Sequence, residues 1–460
     1  MTTALPASVF KAYDIRGIVP TQLNADFAFK LGYALGTQAA LALVPAIVVG
    51  YDGRHSSPEL GEALMQGIER AGVNTIHIGL APTPLVYYAA NTLHTLSAVA
   101  ITGSHNPPEY NGFKMMMAGK TLYGDDIQQL YQLMLNPVPV ANQPGQRIEQ
   151  SITQNYINEI QSSIHLARPM RVAVDCGNGV AGAIARQLFD ALGCETDILF
   201  EEVDGNFPNH HPDPADPDNL VDLIRHVQEH DFELGLAFDG DGDRLGVVTR
   251  NGEIIWPDRQ LILYAQDILT RRPGETIIFD VKCSRHVALA IKQAGGTPLM
   301  WQTGHSLIKA KLAETNAPLA GEMSGHTFFK ERWYGFDDGL YTAARLLEIL
   351  SRYQDPSAVL EALPKDVSTP ELKLEMNEGE PHAFVERLIN EGQFPSAKEH
   401  ITIDGIRAEY EDGFGLARAS NTTPVVVLRF EAQNEAALAR IQQEFKAAIH
   451  QLRPDLTLPF

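Results

Sequence analysis

Short apolar runs that end on an aspartate and then a turn recur along this chain. Residues 47–54 read IVVGYDGR, 172–179 read VAVDCGNG and 277–282 read IIFDVK. Each is followed by a helix-like stretch that stops at a glycine, at Gly72, Gly193 and Gly295 respectively, and then by a second apolar strand. A strand, a crossover helix and a second strand repeated on one plan predict three related α/β domains with mixed, largely parallel sheets. Ser56, Ser57 and Pro58 are expected to start the first of these helices with a polar cap and a proline. The longest apolar stretch, 39–50, is divided by Pro45 into a helix end and a strand and is too short for a membrane span. The pattern changes towards the C-terminus, where 425–430 reads as a strand and 435–452 as a helix. Breaks are expected where Pro, Gln and Asn collect at 136–148, and again at 250–257 and 363–372. The domains expected are therefore 1–147, 148–253, 254–367 and 368–460.

Four loops at the ends of such strands carry candidate chemistry. After the apolar run 98–101, residues 102–114 read TGSHNPPEYNGFK, which sets Ser104 on a loop with His105, Asn106 and Lys114 nearby. Gly103 is expected to let the backbone approach a ligand, and Pro107 and Pro108 to stiffen the exit. A serine hydroxyl is a poor nucleophile at neutral pH, but it can carry a phosphoryl group whose charge is met by a metal and fixed cations. After the run 234–238 comes DGDGDR, 239–244. Read as extended chain, alternate positions put Asp239, Asp241 and Asp243 on one side, where they would repel one another without a cation between them. Oxygen ligands of this kind suit Mg²⁺ or Ca²⁺, and Arg244 and Arg250 stand where a calcium-binding EF-hand needs glycine and glutamate. GEMSGH, 321–326, offers Glu322, Ser324 and His326 for sugar hydroxyls, and RASNTT, 418–423, offers Arg418, Ser420, Asn421 and Thr422 for a phosphate.

These motifs, taken in order with KAYDIRG at 11–17 and TGHS at 303–306, resemble the alpha-D-phosphohexomutase family, on its bacterial phosphomannomutase/phosphoglucomutase branch. The resemblance covers nearly the whole chain. It implies three α/β domains plus a smaller C-terminal α+β domain around one central cleft. It also implies an intramolecular phosphoryl transfer between the 1- and 6-positions of mannose or glucose phosphates. Ser104 would be the phosphoserine, and one Mg²⁺ per chain would sit on Ser104, Asp239, Asp241 and Asp243. Hexose 1,6-bisphosphate would be intermediate and activator. Lys114 and His326 would move the proton at the sugar hydroxyl, assisted by His305 and Arg244. Glu322 and Ser324 would hold the 3- and 4-hydroxyls, and Tyr13, Arg16 and Lys282 would line the cleft. A phosphoglucosamine mutase of the same family is the nearest rival, but RASNTTP differs from the R-P-S-G-T-E-P type of loop.

Composition narrows the partners. At 460 residues the chain has room for three to four domains, and a formal net charge of −21 opposes nucleic acid and anionic membranes. A hexose phosphate would need local charge reversal, for which Arg16, Lys114, Arg244, Lys282 and Arg418 are the candidates. Cys176, Cys194 and Cys283 form no CxxC and are expected to be free thiols. The N-terminal residues lack a basic and then apolar signal, so a cytoplasmic address is expected, with no obligatory protein partner. GKT at 119–121 imitates a P-loop, but Lys114 occupies the upstream glycine position. GNGVAG at 177–182 matches a dinucleotide fingerprint and makes an NAD-dependent oxidoreductase the alternative from another class. A phosphatase would keep the serine and metal but release inorganic phosphate. His210 and His211 read as solvated turn residues without a role.

Overall fold

The computed structural model describes residues 5–139, 143–421 and 423–460. Its first sheet runs in the order Ile15–Ile18, Tyr110–Met117, Ala98–Ile101, Ala46–Tyr51, Asn74–Leu80 and Arg147–Glu149. Tyr110–Met117 is antiparallel to both neighbours and to the short Lys120–Thr121 beside it, and the remaining pairings are parallel. The second sheet runs Ile254–Ile255, Leu245–Thr249, Leu234–Phe238, Arg171–Asp175, Glu195–Leu199, with the last two pairings parallel. The third runs Thr297–Trp301, Thr276–Asp280, Leu319–Gly321, Thr327–Phe329, and only its last pairing is antiparallel. The fourth sheet is antiparallel throughout and carries the helices Glu380–Glu391 and Glu435–Leu452. Three mixed α/β sheets and one α+β unit are therefore present.

The glycine stops read from the sequence hold. Gly72, Gly193 and Gly295 follow helix ends with φ of 88°, 81° and 80°, values that cost a residue with a Cβ. The cap expected at the first helix is different. Ser57–Arg70 begins with no side-chain cap bond; Ser56 Oγ instead accepts from Asn111, and Ser57 Oγ donates to Asp52. The serines are used to tie the helix start to a neighbouring strand and to the turn at Asp52.

Edge pairing also moves the breaks. Arg147–Glu149 extends the first sheet across the 147/148 boundary, Ile254–Ile255 extends the second past 253, and Val367–Ser368 pairs with Val425–Ala432 and so starts the fourth before 368. Two- and three-residue strands carry too little periodicity to be read from composition.

One continuous apolar core joins the first three sheets, from Val48 through Phe238 to Leu347. Stacked and edge-on rings of Tyr88, Tyr156, Trp333 and Tyr341 mark where those three units meet. The fourth unit has its own core around Leu388, Phe430 and Phe445. Among the described residues no helix is long and apolar enough to cross a membrane, and all three cysteines are free and buried.

Each loop with candidate chemistry occupies the same place in its sheet, the connection between two antiparallel neighbours. Ala98–Ile101 leads through 102–109 to Tyr110–Met117, Leu234–Phe238 through 239–244 to Leu245–Thr249, and Leu319–Gly321 through 322–326 to Thr327–Phe329. Gly413–Ala419 and Val425–Ala432 flank the fourth.

Candidate active site

Ser104 stands just past the end of Ala98–Ile101, buried, with φ of 51°. Its Oγ lies 3.3 Å from Asp239 Oδ2 and 3.2 Å from His105 Nδ1, and its N–H donates to Thr102 Oγ1 at 2.7 Å. That unusual backbone is held by Arg54, which is fully buried. Arg54 Nε donates to Asp52 Oδ2, one terminal nitrogen to the carbonyls of Pro107 and Tyr110, the other to those of Ser104 and Asn106. All five guanidinium hydrogens are thereby engaged. Gly103 is expected from sequence to admit a ligand; instead, a Cβ there would lie 2.4 Å from Arg54 Cζ, so the missing side chain makes room for the guanidinium. The sequence marks Asp52 only as a strand-end aspartate and Arg54 not at all, because nothing in GYDGR signals a contact about fifty residues away.

The three aspartates do converge, but by a turn. The strand ends at Phe238, residues 240–242 form the bend, and Gly242 has φ of 76°. One oxygen from each of Asp239, Asp241 and Asp243 lies within 4.8 Å of the others, and all three residues are buried. Lys114 Nζ donates to Asp241 Oδ2 at 2.7 Å and Asp243 Oδ2 at 2.5 Å, and Thr83 Oγ1 donates to Asp241 Oδ2. Burial opposes the charge on Lys114, yet the two carboxylates hold it protonated well above its ordinary range. Burial, then Asp243 and Asp241, push the Asp239 carboxyl well above the usual value. Asp241 Oδ1 and Asp243 Oδ1 have no hydrogen-bond partner. Three buried carboxylates, one ammonium and two orphaned oxygens fit a hard divalent cation with oxygen ligands.

Arg244 carries the cluster towards the third sheet. Its N–H donates to Asp239 Oδ1 at 3.1 Å, and its Nε–H donates to His326 Nε2 at 3.1 Å. The rings of His326 and His305 are 5.5 Å apart, and those of His305 and Tyr13 6.1 Å. Burial, with Lys309 beside it, lowers the His305 pKa well below that of an ordinary imidazole. Tyr13 OH donates to Thr303 O at 3.0 Å and accepts from Asn421 Nδ2. Glu322 takes the N–H of Gly304 at 2.6 Å and the hydroxyl of Ser324 at 3.1 Å. Arg418 Nε donates to Asp404 Oδ2, which also takes the N–H of Thr303, and Ser420 Oγ accepts from Thr423. Thr422 lies outside the described residues.

The candidate residues thus form a row from Ser104 through the aspartates, Arg244, His326, His305 and Tyr13 to Asn421, drawing on all four sheets. Arg16 pairs with Asp14 and Lys282 with Glu371. The expected local charge reversal is therefore not a bare basic patch: Arg16, Lys114, Lys282 and Arg418 each bond a carboxylate, and Arg244 lies 3.8 Å from one. Buried cations require such counter-charges.

Several contributors were not singled out by motif reading. Asp280 accepts from Thr303 Oγ1 and the N–H of Met323; Asp337 lies among His305, Lys309 and His326. Strand-end position was the available signal for Asp280, and nothing marked Asp337. His210 is not a solvated turn residue. Its Nε2 lies 3.0 Å from Asp175 Oδ2, and although burial works against the charged ring, that carboxylate raises its pKa. The loop it anchors gives Pro212 O to the N–H of Gly240. The same loop fills the supposed dinucleotide cradle: a Cβ on Gly177 would lie 3.1 Å from Pro212 and 3.2 Å from His210, and a 3₁₀ turn, Val180–Ala183, follows instead of a regular helix.

Comparison with known proteins agrees with this layout. Family models described as phosphoglucomutase/phosphomannomutase, alpha/beta/alpha domains I, II and III, match residues 7–138, 154–252 and 256–367. The C-terminal domain model of the same family matches residues 371–448. The chain is 52% identical over 457 residues to a phosphomannomutase/phosphoglucomutase of Pseudomonas aeruginosa, covering 99% of this chain and 98% of the relative. It is 52% identical to a phosphoglucomutase of Neisseria gonorrhoeae, covering 99% of each. A solved phosphoglucomutase/phosphomannomutase family protein from Burkholderia thailandensis superposes with a TM-score of 0.95 at 53% identity, covering 99% of this chain and 100% of the other.

Proposed function

The chain belongs to the phosphoglucomutase/phosphomannomutase family, and from that premise we propose how its residues carry out a reversible phosphoryl transfer between the 1- and 6-positions of a hexose phosphate. Ser104 is the carrier. Its phosphoryl group passes to the free hydroxyl of a bound hexose monophosphate, so the P–Oγ bond breaks and a P–O bond to the sugar forms. The net proton movement is from that hydroxyl to Ser104 Oγ, with Lys114 and His326 the candidates on the sugar side and His105 Nδ1 3.2 Å from Oγ on the other. The hexose 1,6-bisphosphate so formed turns end for end, and the second phosphoryl group returns to Ser104. Transfer of this kind depends on positioning and charge neutralisation.

Asp239, Asp241, Asp243 and phosphorylated Ser104 would hold one divalent cation, for which Mg²⁺ is the choice because the donors are all oxygen and a phosphate shares the site. When bound, that ion supplies positive charge against the transferring phosphoryl group. Arg244 holds His326 and the Asp239 loop together. Arg418, Ser420, Asn421 and Thr422 take the phosphate that does not react, while Glu322 and Ser324 take the sugar hydroxyls that look alike in both orientations. Tyr13, Arg16 and Lys282 line the space between, and His305, held neutral, offers a ring N–H rather than a charge.

The observation that carries this reading is the 3.3 Å approach of Ser104 Oγ to Asp239 Oδ2, from loops 135 residues apart. The test is a set of initial rates on glucose 1-phosphate, mannose 1-phosphate and glucosamine 1-phosphate, with bisphosphate primer, with and without chelator. Turnover of the first two, abolished by chelator and by Ser104→Ala with the melting temperature retained, is expected. Isomerisation by Ser104→Ala, or release of inorganic phosphate as the main product, would overturn it.

A further inference from the structure

We infer that His382 is a positioning residue that fixes the side-chain amide of Asn421, so that its nitrogen and not its oxygen is offered to the phosphate that does not react. The inference deepens the proposed function and rests on Asn421 being one of the donors to that phosphate. A backbone carbonyl sets the order of donors and acceptors. Thr303 O can only accept, so the hydrogen of the Tyr13 hydroxyl goes to it, at 3.0 Å. Towards Asn421 the Tyr13 oxygen then has only lone pairs, and the amide meets it with Nδ2–H. The other amide atom, Oδ1, lies 3.1 Å from His382 Nε2 and takes a hydrogen from it. Reversing the amide would set Oδ1 against the lone pairs of Tyr13. The relay therefore runs one way, from His382 through Asn421 and Tyr13 to the carbonyl of Thr303. It spends one amide hydrogen on Tyr13 and leaves the second for a phosphate oxygen.

Helix packing places the histidine. His382 stands on Glu380–Glu391, whose Phe384, Val385 and Leu388 are buried in the core of the fourth unit. His382, Val385 and Ile389, spaced as one face of that helix, line a cavity of about 350 Å³ together with Asp404 and Asn421. Asp404 accepts from Arg418 Nε, so two of the proposed phosphate donors each have a partner of their own. Their needs differ. A guanidinium carries donors on every nitrogen and cannot offer an oxyanion the wrong atom, whereas an amide turned by 180° presents an oxygen instead of an N–H. Asn421 is thus the donor of the loop that requires an orienting partner, and His382 supplies it.

The test is steady-state kinetics on glucose 1-phosphate with bisphosphate primer. His382→Ala removes the donor to Oδ1. The expected result is a KM raised about three- to tenfold, the worth of one hydrogen bond, with kcat within about twofold and the melting temperature retained, since His382 is exposed. His382→Gln puts an N–H where Nε2 stands and should bring KM back to within about twofold of wild type. His382→Asn, whose N–H falls at the Nδ1 position, should not. Asn421→Ala should raise KM, and adding His382→Ala to it should raise KM no further. An unchanged KM in His382→Ala, failure of His382→Gln to restore it, equal rescue by His382→Asn, or effects of the two alanines that multiply would each overturn the inference. An unchanged KM in Asn421→Ala would overturn it at its root, by removing Asn421 from the phosphate donors; a raised KM there with none in His382→Ala would remove only the orienting role.

Discussion

A single guanidinium shows how this site is built at the scale of one residue. Arg54 spends its hydrogen bonds on backbone carbonyls of the serine loop, and Gly103 is the position that lets it come so close. A methyl group on Gly103 cannot coexist with Arg54 at 2.4 Å, and the guanidinium is locked by Asp52 and four carbonyls. The loop must therefore shift, and misplacement of a reacting group by about 1 Å costs on the order of 10²-fold in rate. Gly103→Ala is expected to lower kcat by about that factor while KM for glucose 1-phosphate stays within a few-fold, because the residues proposed to bind the phosphate and the hydroxyls lie on other sheets. Steady-state kinetics together with the rate of Ser104 phosphorylation by bisphosphate checks it. An unchanged phosphorylation rate would show that the loop tolerates displacement.

At the scale of the element, a strand-end aspartate recurs with a shared task. Asp52 takes the N–H of Gly103, and Asp280 takes the N–H of Met323; each lies at or just past the end of the strand beside its loop. Asp175 reaches the 239–244 loop at one remove, through His210 and the carbonyl of Pro212. Asp280 also accepts from Thr303 Oγ1, so it ties Glu322 and Ser324 to the Gly304 turn. Asp280→Ala takes the acceptor from three donors, the part-buried Thr303 Oγ1 and Met323 N–H and the buried Cys283 Sγ, at up to about 1–3 kcal/mol each. The expected outcome is a KM for glucose 1-phosphate raised roughly tenfold, kcat lowered less, and a lower melting temperature; a KM unchanged would detach this aspartate from the sugar loop. The sequence pattern shows these aspartates as punctuation between strand and turn, because strand, acid and glycine stop all leave local traces. Loop motifs such as DGDGDR and TGSHNP are legible for the same reason. Arg54, Asp337, Lys309 and Thr83 were not legible, since their roles depend on tertiary approach and their neighbours in sequence are ordinary helix and loop residues. The bend at Gly242 likewise overrode the extended chain that alternate aspartates suggested.

For the whole molecule, the contrast that matters is between one shared apolar core under the first three sheets and a separate core in the fourth unit. Polar contacts run along the whole seat of the fourth unit. Arg407 donates to the carbonyls of Val281 and Cys283, Arg429 to that of Lys282, Glu431 accepts from Ser284 and Asp404 from the N–H of Thr303, and a small apolar patch of Val281, Phe414 and Leu416, with Met300 and Ile403 beside it, joins them. Those carbonyls belong to Lys282 and its two neighbours, so the same contacts that seat the unit also set the reach of a residue proposed to line the cleft. A modest, polar seam of this kind permits the units to move against each other. On the proposed mechanism, turning a bisphosphate end for end requires the residues proposed to hold its phosphate, Arg418, Ser420 and Asn421 among them, to release and recapture it without losing its place. Arg407→Leu removes two of the seating bonds while keeping bulk over the Phe414 ring, which the guanidinium now covers at 3.6 Å. Bisphosphate should then escape before it turns over. The expected outcome is a greater dependence on added hexose 1,6-bisphosphate and more bisphosphate appearing in solution during single-turnover reactions of phosphorylated enzyme, with the rate of the first transfer nearly unchanged. If Arg407→Leu keeps the wild-type requirement for bisphosphate, the seam does not govern retention, and reorientation must be contained by the first three units alone.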